Sequence, residues 1–447
     1  MGVLMQAFYW DCPRAEGRDG AWWDYVAGKV TELAHAGFTA IWLPPASKAA
    51  NLGGVSMGYD PYDYYDLGDI DQKGRTKTYF GNEAELRALI AAAHGHGVQV
   101  YADLVINHNS GADAEEPNPI DGKMRWTKFT PGSQKFARDL KCFHPSPYES
   151  FDEMTFGDMP DLCHRDPYVF ARLMELAQWM VEDVGFDGFR FDFVKGYGPW
   201  MIKSIAEVRY LDKRDEGFKP FCVGECWDNS RTISDWLTSV NTFMDNPVSA
   251  FDFPLRYRLK DLCDSYGFSL RMLAQGGTLS SEQPERAVTF VDNHDTTQKD
   301  EDAVHNERLL AYAYVLTHEG YPCVFWRDYF NDGLAKPGTP NGVEALVAAH
   351  EAYAGGGTDV LYTDDDFYVM QRRGHGAQPG LVLALNNRGD GWRGAEVQTN
   401  WPNTRFAPAA WGGRDEGEPQ PKWSDGGGKT EFWAAPRGYA VYTLGPQ

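Results

Sequence analysis

The chain has 447 residues, 43% hydrophobic and 24% charged, the composition of a globular protein able to bury a core. The length exceeds one ordinary domain and falls short of three large ones; a barrel of roughly 250 to 350 residues with a smaller partner fits it. With 64 acidic against 42 basic side chains the formal charge is −22, which argues against nucleic acid or an anionic membrane as partner, whereas a neutral polysaccharide is indifferent to that charge.

In chain order, eight apolar runs read as strands: 3–10, 38–43, 98–105, 186–193, 221–225, 249–253, 287–293 and 321–326. Helical patterns follow them at 22–36, 83–96, 167–184, 199–209, 231–240, a pair near 255–275, 306–317 and 343–354. In the third of these, Leu173, Leu176, Ala177 and Met180 fall on one face. Strand alternating with crossover helix implies parallel strands, and eight such units close most simply into a (β/α)8 barrel. An open doubly wound sheet would more often carry a glycine-rich phosphate loop after its first strand, where this chain reads Tyr9-Trp10-Asp11-Cys12-Pro13.

Residues 106–166, rich in Pro, Gly, Asp and His, are too long for a plain connection and read as a subdomain inserted over the barrel mouth. After Gly355-Gly356-Gly357 come alternating runs such as 367–370 and 381–385 with turn clusters between them, which predict a terminal antiparallel β-sandwich. The predicted division is a barrel over 1–108 and 167–356, an insert over 109–166 and a sandwich over 357–447.

Seven scattered Cys make no disulfide framework, and an odd count leaves at least one unpaired within the chain. No apolar run reaches membrane-spanning length. The chain opens on a strand pattern without a leader, so either the protein is intracellular or its signal peptide is absent from this sequence. Aromatic residues, 14% of the chain, suit stacking on sugar rings, although any single one is better read as core.

In a (β/α)8 barrel the active site lies at the C-terminal ends of the strands. Four ends carry unusual chemistry: Asp103-Leu104-Val105-Ile106-Asn107-His108, Gly188-Phe189-Arg190-Phe191-Asp192-Phe193-Val194-Lys195-Gly196, Val223-Gly224-Glu225-Cys226-Trp227, and Phe290-Val291-Asp292-Asn293-His294-Asp295-Thr296. Any one residue here could cap or pair within the scaffold. Carboxylates, histidines and an arginine at four ends would be costly to bury as scaffold alone, so together they read as a site.

These four segments closely resemble the signature regions of glycoside hydrolase family 13, the α-amylase family, with Met57-Gly58-Tyr59-Asp60-Pro61-Tyr62 and Met159-Pro160-Asp161-Leu162-Cys163 similar to two further segments. The resemblance runs to about residue 354 and is nearest to the archaeal and plant branch. It implies a retaining endo-hydrolase of α-1,4-glucans, extracellular and monomeric, with an α-glucan as its partner. It assigns Asp192 as nucleophile, Glu225 as general acid/base and Asp295 as the carboxylate that holds the 2- and 3-hydroxyls of the distorted sugar. His108 and His294 match donors to that sugar, Tyr59 its stacking platform, and Lys195 a leaving-side contact. Arg190, two residues before Asp192, has the strand period that points it to the same face, where its charge favours an ionised nucleophile.

The same resemblance implies a calcium ion on Asn107 and Asp161, with Asp152 and the carbonyls of Met154 and Gly196 added in the archaeal pattern. A zinc site in that branch would use His144 and Cys163, with Glu149 standing where the branch has a second His. Other activities on the same barrel share these carboxylates: an α-1,6-glucosidase, a glucanotransferase or a maltooligosaccharide-forming enzyme. A catalytically silent glucan-binding barrel would predict a broken triad. Five Trp between 392 and 433 fit either a sandwich core or a sugar-binding surface.

Overall fold

The computed structural model describes residues 2–12, 22–50, 56–150, 154–208, 210–211, 216–415 and 417–445. Eight parallel strands form a closed barrel: β1 (Val3–Gln6), β2 (Phe38–Trp42), β3 (Gln99–Leu104), β4 (Gly188–Phe191), β5 (Phe221–Gly224), β6 (Ser249–Phe251), β7 (Ala287–Phe290) and β8 (Tyr321–Phe325). Each is four to six residues except the three-residue β6, and nearly every position is buried, as expected of parallel strands covered on both faces.

The strands are shorter than the apolar runs that announce them. The run 186–193, for example, yields a strand only over Gly188–Phe191. Beyond it, Asp192 keeps one last ladder bond to Leu104 O and Phe193 leaves the ladder for the turn, which is how their side chains become available at the barrel mouth. The helix expected over 22–36 breaks into Trp22–Ala27 and Val30–Ala36, with Gly28 and Lys29 between them. That expected over 167–184 is helical over Pro167–Trp179, where Asp166 caps the first turn and Pro167 needs no amide partner. It then widens over Met180–Val184 and ends at Gly185, whose φ of 102° is left-handed.

The chain parts into two compact units. One comprises Trp10–Ala34 and Ala40–Phe251. In it β2 to β6 lie side by side, Ala40 beside Gln99, Asp103 beside Arg190, Arg190 beside Val223, and Val223 beside Ser249. The long connection after β3 belongs to this unit. It carries an antiparallel hairpin, Ala114–Pro117 with Met124–Lys128, returns to the segment just after β3 through a bridge between His108 and Asp161, and is tied within itself by one between Phe143 and Leu162.

The other unit comprises Met1–Tyr9, His35–Thr39 and Asp252–Gln447. Here β7 pairs with β8 and β8 with β1. Its terminal region holds β9 (Thr358–Thr363), β10 (Phe367–Arg372), β11 (Leu381–Asn386), β12 (Arg393–Gln398), β13 (Arg405–Gly412), β14 (Lys422–Trp423), β15 (Lys429–Ala434) and β16 (Gly438–Leu444). They form a six-stranded sheet, β9-β10-β11-β16-β13-β14, and a two-stranded sheet of β12 and β15. Phe367, Val369, Val382, Phe406 and Tyr442 of the first meet Val397, Phe432 and Ala434 of the second in one apolar core. This is the expected antiparallel sandwich. Trp401 and Trp411 pack against that core, whereas Trp423 is 63% exposed. All seven Cys are buried, and among the described residues no helix is long and apolar enough to cross a membrane.

Candidate active site

β3, β4 and β5 are adjacent, and their C-terminal ends carry the first group of functional side chains. The ladder continues one residue past each strand, Asp192 N–H donating to Leu104 O at 3.2 Å and Glu225 N–H to Phe191 O at 2.9 Å. These bonds fix the backbone on which both carboxylates stand. Arg190, on the central strand, is 1% exposed and reaches both neighbours. Its Nη1 donates to Asp103 Oδ1 at 2.8 Å and to Asp192 Oδ1 at 2.7 Å, and its Nη2 lies 2.9 Å from Glu225 Oε1. One guanidinium therefore serves three carboxyls, which its fixed fork allows and a point charge would not.

The three carboxyls differ in access. Asp192 and Glu225 each keep 9% of their side-chain surface open and Asp103 keeps none, so only the first two can reach a ligand. Burial opposes the charge on Arg190, but Asp103, Glu225, Tyr59 and Asp192 hold it protonated well above the ordinary arginine range. Asp103 is pushed up to about 7, chiefly by burial; Arg190 pulls it back and Asp192 adds to the rise. Its second oxygen accepts from Tyr59 Oη at 2.7 Å and Trp42 Nε1 at 3.1 Å.

Tyr59 is thus pinned by Asp103, and the Trp10 ring lies near-parallel to it at 6.1 Å. His108 is buried; its Nε2 donates to Tyr59 O at 2.9 Å and its ring stacks on Phe156 at 4.6 Å. Lys195 donates to Trp227 O at 2.8 Å and lies 3.2 Å from Asp228 Oδ2. Phe193 N–H donates to Glu225 Oε2 at 3.1 Å.

The remaining two candidates follow β7 in the other unit. Asn293 Oδ1 accepts from the amides of Asp295 and Thr296 at 3.0 and 2.8 Å, which turns the chain sharply and presents Asp295. His294 is 1% exposed, with Gln6 Nε2 at 2.9 Å from Nδ1 and Asp295 Oδ2 at 3.2 Å from Nε2. Asp295 keeps 29% of its side-chain surface open. Asp292, by contrast, is consumed by Arg256, Thr296 and the Val304 amide.

The candidate metal residues lie in the unit of the insert. Asn107 is fully buried, and its Oδ1 finds no hydrogen-bond partner among the described residues. A Cβ on Gly196 would come 2.0 Å from that oxygen, so only glycine leaves it room. Leu162 N–H donates to Asn107 O at 2.9 Å, which brings Asp161 alongside. An orphaned amide oxygen beside a carboxylate and a bare backbone fits a hard cation such as calcium. Met154 is 46% exposed; Asp152 lies outside the described residues.

His144, Glu149 and Cys163 present ligand atoms within 4.8 Å of one another, as a softer site would. His144 Nδ1 lies 3.0 Å from Asp161 Oδ2, which links the two groups. Burial opposes the charge on His144, but Asp161 and Cys163 hold its proton up to about 10.

Trp42, Asp228, Gln6 and Phe156 carry no sequence signal for the contacts they make. Asp103 does: a carboxylate inside an apolar strand is unusual, and its register beside Arg190 explains it.

Residues 19–326 match the family model described as "Alpha amylase, catalytic domain". The chain is 34% identical over 443 residues to an alpha-amylase of Geobacillus stearothermophilus, covering 86% of this chain and 76% of that protein. It is 31% identical over 443 residues to a glucan 1,4-alpha-maltohexaosidase of Bacillus sp. (strain 707), covering 86% and 81%. In fold it resembles the alpha-amylase of Geobacillus thermoleovorans solved with acarbose, at a TM-score of 0.68 and 20% identity over 100% of this chain and 98% of that one.

Proposed function

The chain belongs to the α-amylase family, glycoside hydrolase family 13, and from that premise we propose that it is an α-amylase that cleaves internal α-1,4 bonds of starch- or glycogen-type glucans with retention. The observation that carries the reading is the pair of open carboxyls, Asp192 and Glu225, held on the two arms of one buried guanidinium. A retaining glycosidase needs two carboxyls about 5–5.5 Å apart, one ionised and one able to give a proton. Asp192, held by Arg190 Nη1, attacks the anomeric carbon as the glycosidic C–O bond breaks. Glu225 gives its proton to the leaving oxygen and then takes one from the water that releases the sugar. Asp295 and His294 hold hydroxyls of the distorted sugar, Tyr59 supplies a stacking face, and His108 and Lys195 complete the contacts.

In this reading the insert over 109–166 is a metal-binding subdomain and 357–447 an accessory sandwich. Asn107, Asp161, Asp152 and the carbonyls of Met154 and Gly196 would hold a calcium ion, which would fix the wall of the site. A second, softer ion such as zinc fits His144, Glu149 and Cys163; elemental analysis after dialysis against zinc would show one bound equivalent, and none ends that assignment.

The maltohexaosidase among the relatives favours one alternative, a maltooligosaccharide-forming enzyme. Soluble starch, followed by iodine colour and reducing ends beside an Asp192→Asn variant, separates the two. Rapid colour loss with few new ends, abolished by the variant, is expected. Reducing ends of one size without early colour loss would replace the endo reading.

A further inference from the structure

We propose that Phe156, from the insert, is a positioning residue for the general acid: it holds Phe193 in the left-handed conformation from which the Phe193 amide locates Glu225. The inference rests on the reading of Glu225 as acid/base.

Phe193 directly follows the nucleophile and has φ 44° and ψ 50°, a region that a bulky side chain seldom occupies unless its surroundings enforce it. That conformation aims its N–H at Glu225 Oε2, 3.1 Å away. The other oxygen, Oε1, lies 2.9 Å from Arg190 Nη2. Both partners only donate, but the charged guanidinium is the stronger donor and favours the unprotonated oxygen, so the transferable proton belongs on Oε2, which accepts from the amide through its remaining lone pair. Phe193 N–H therefore locates the very oxygen that must protonate the leaving group.

Two contacts enforce the Phe193 backbone. On one side, a Cβ at Gly196 would come 2.8 Å from Phe193 Cδ1, so the ring needs a glycine there. On the other, the Phe156 ring meets the Phe193 ring edge-on at 5.2 Å and 74°. Phe156 is itself braced by His108, stacked at 4.6 Å and 8°. At 39% exposure it is a ring at the rim of the unit rather than core, so its removal leaves the barrel strands covered.

The test compares kcat/KM on a maltooligosaccharide with kcat/KM on the fluoride of the same sugar. In the first, the C–O bond breaks and its oxygen takes the proton of Glu225 as Asp192 bonds to the anomeric carbon. In the second, the C–F bond breaks and fluoride leaves with the electron pair, so no proton is needed. Phe156→Ala is expected to lose about tenfold or more on the oligosaccharide, part of the 10²–10⁴ that general acid catalysis supplies. On the fluoride its loss should stay within about threefold. Phe156→Leu keeps most of the volume and should fall between wild type and Phe156→Ala. Phe193→Val, whose branched Cβ resists a positive φ, should reproduce the selective loss with Phe156 intact. Glu225→Gln is the control and should show the largest difference between the two substrates. If it does but the Phe156 and Phe193 variants lose equally on both substrates, or on neither, the positioning role is overturned. If Glu225→Gln itself shows no difference, the acid/base reading falls instead.

Discussion

In the proposed mechanism Arg190 acts through both its charge and its shape. It spans Asp103, Asp192 and Glu225, and Trp42 and Tyr59 lie 5.1 and 5.7 Å from its Cζ. Arg190→Lys keeps the charge but cannot bridge three carboxyls, so kcat on starch should fall by about 10² or more with little change in KM, the pattern of a lost transition-state arrangement. Arg190→Met would leave the carboxyls without their counter-charge and should cost about 3–5 kcal/mol in chemical unfolding, as removal of one partner of a buried ion pair does. With its pKa pushed up to about 7, Asp103 carries a negative charge beside the two proposed catalytic carboxyls only on the alkaline side of neutrality. In Asp103→Asn that charge is gone, and an acid near fewer negative charges gives up its proton more readily. The alkaline limb of the kcat/KM profile should therefore move to lower pH; an unmoved limb would mean that Asp103 acts only by holding Tyr59 and Trp42 in place.

Among the elements, the turn after β4 carries the most constraint. Within five residues it holds Asp192, the left-handed Phe193, Lys195 and Gly196, the last pressed against Asn107. Gly196→Ala should lower the melting temperature and abolish most of the rise that added calcium gives; a variant that keeps the full calcium response would remove Gly196 from the ion's surroundings. In the other unit, His318 lies between the helix Arg308–Val315 and β10, with its Nδ1 2.9 Å from Tyr314 O and its Nε2 2.9 Å from Tyr368 Oη. Burial lowers its pKa from 6.5 to about 3, opposed by the Tyr314 carbonyl and helped by Arg372. The unfolded chain thus binds a proton that the folded one refuses between these values. The stability this group adds is complete above about pH 6.5 and is lost as the pH falls toward 3. Melting curves of His318→Gln should decline less steeply than wild type over that window.

For the molecule as a whole, the proposed calcium couples folding to the ion. A chelator should lower both the melting temperature and the activity on starch, with calcium restoring both better than magnesium, whose strict octahedral demand suits a loop-built site poorly. Identical melts with and without chelator would withdraw the ion.

The barrel and the identities of its polar strand ends were legible in the amino-acid sequence. Short strands alternating with helices leave few topologies open, and the segments that hold Asp192, Glu225 and Asp295 resemble signature regions of the family to which the chain belongs. The sequence by itself therefore determined the class of fold and the family, and it named the side chains proposed to act. Tertiary structure decided how they act on one another. Arg190 meets Asp103 across 87 positions, Phe193 meets Glu225 across 32, and Phe156 reaches both His108 and Phe193 from the insert. Such contacts depend on barrel register and on one turn's backbone conformation, which no local pattern encodes. Strand ends differed for the same reason: the predicted run continues through Asp192 and Phe193, but the strand ends at Phe191, and after one last ladder bond from Asp192 the backbone turns at Phe193.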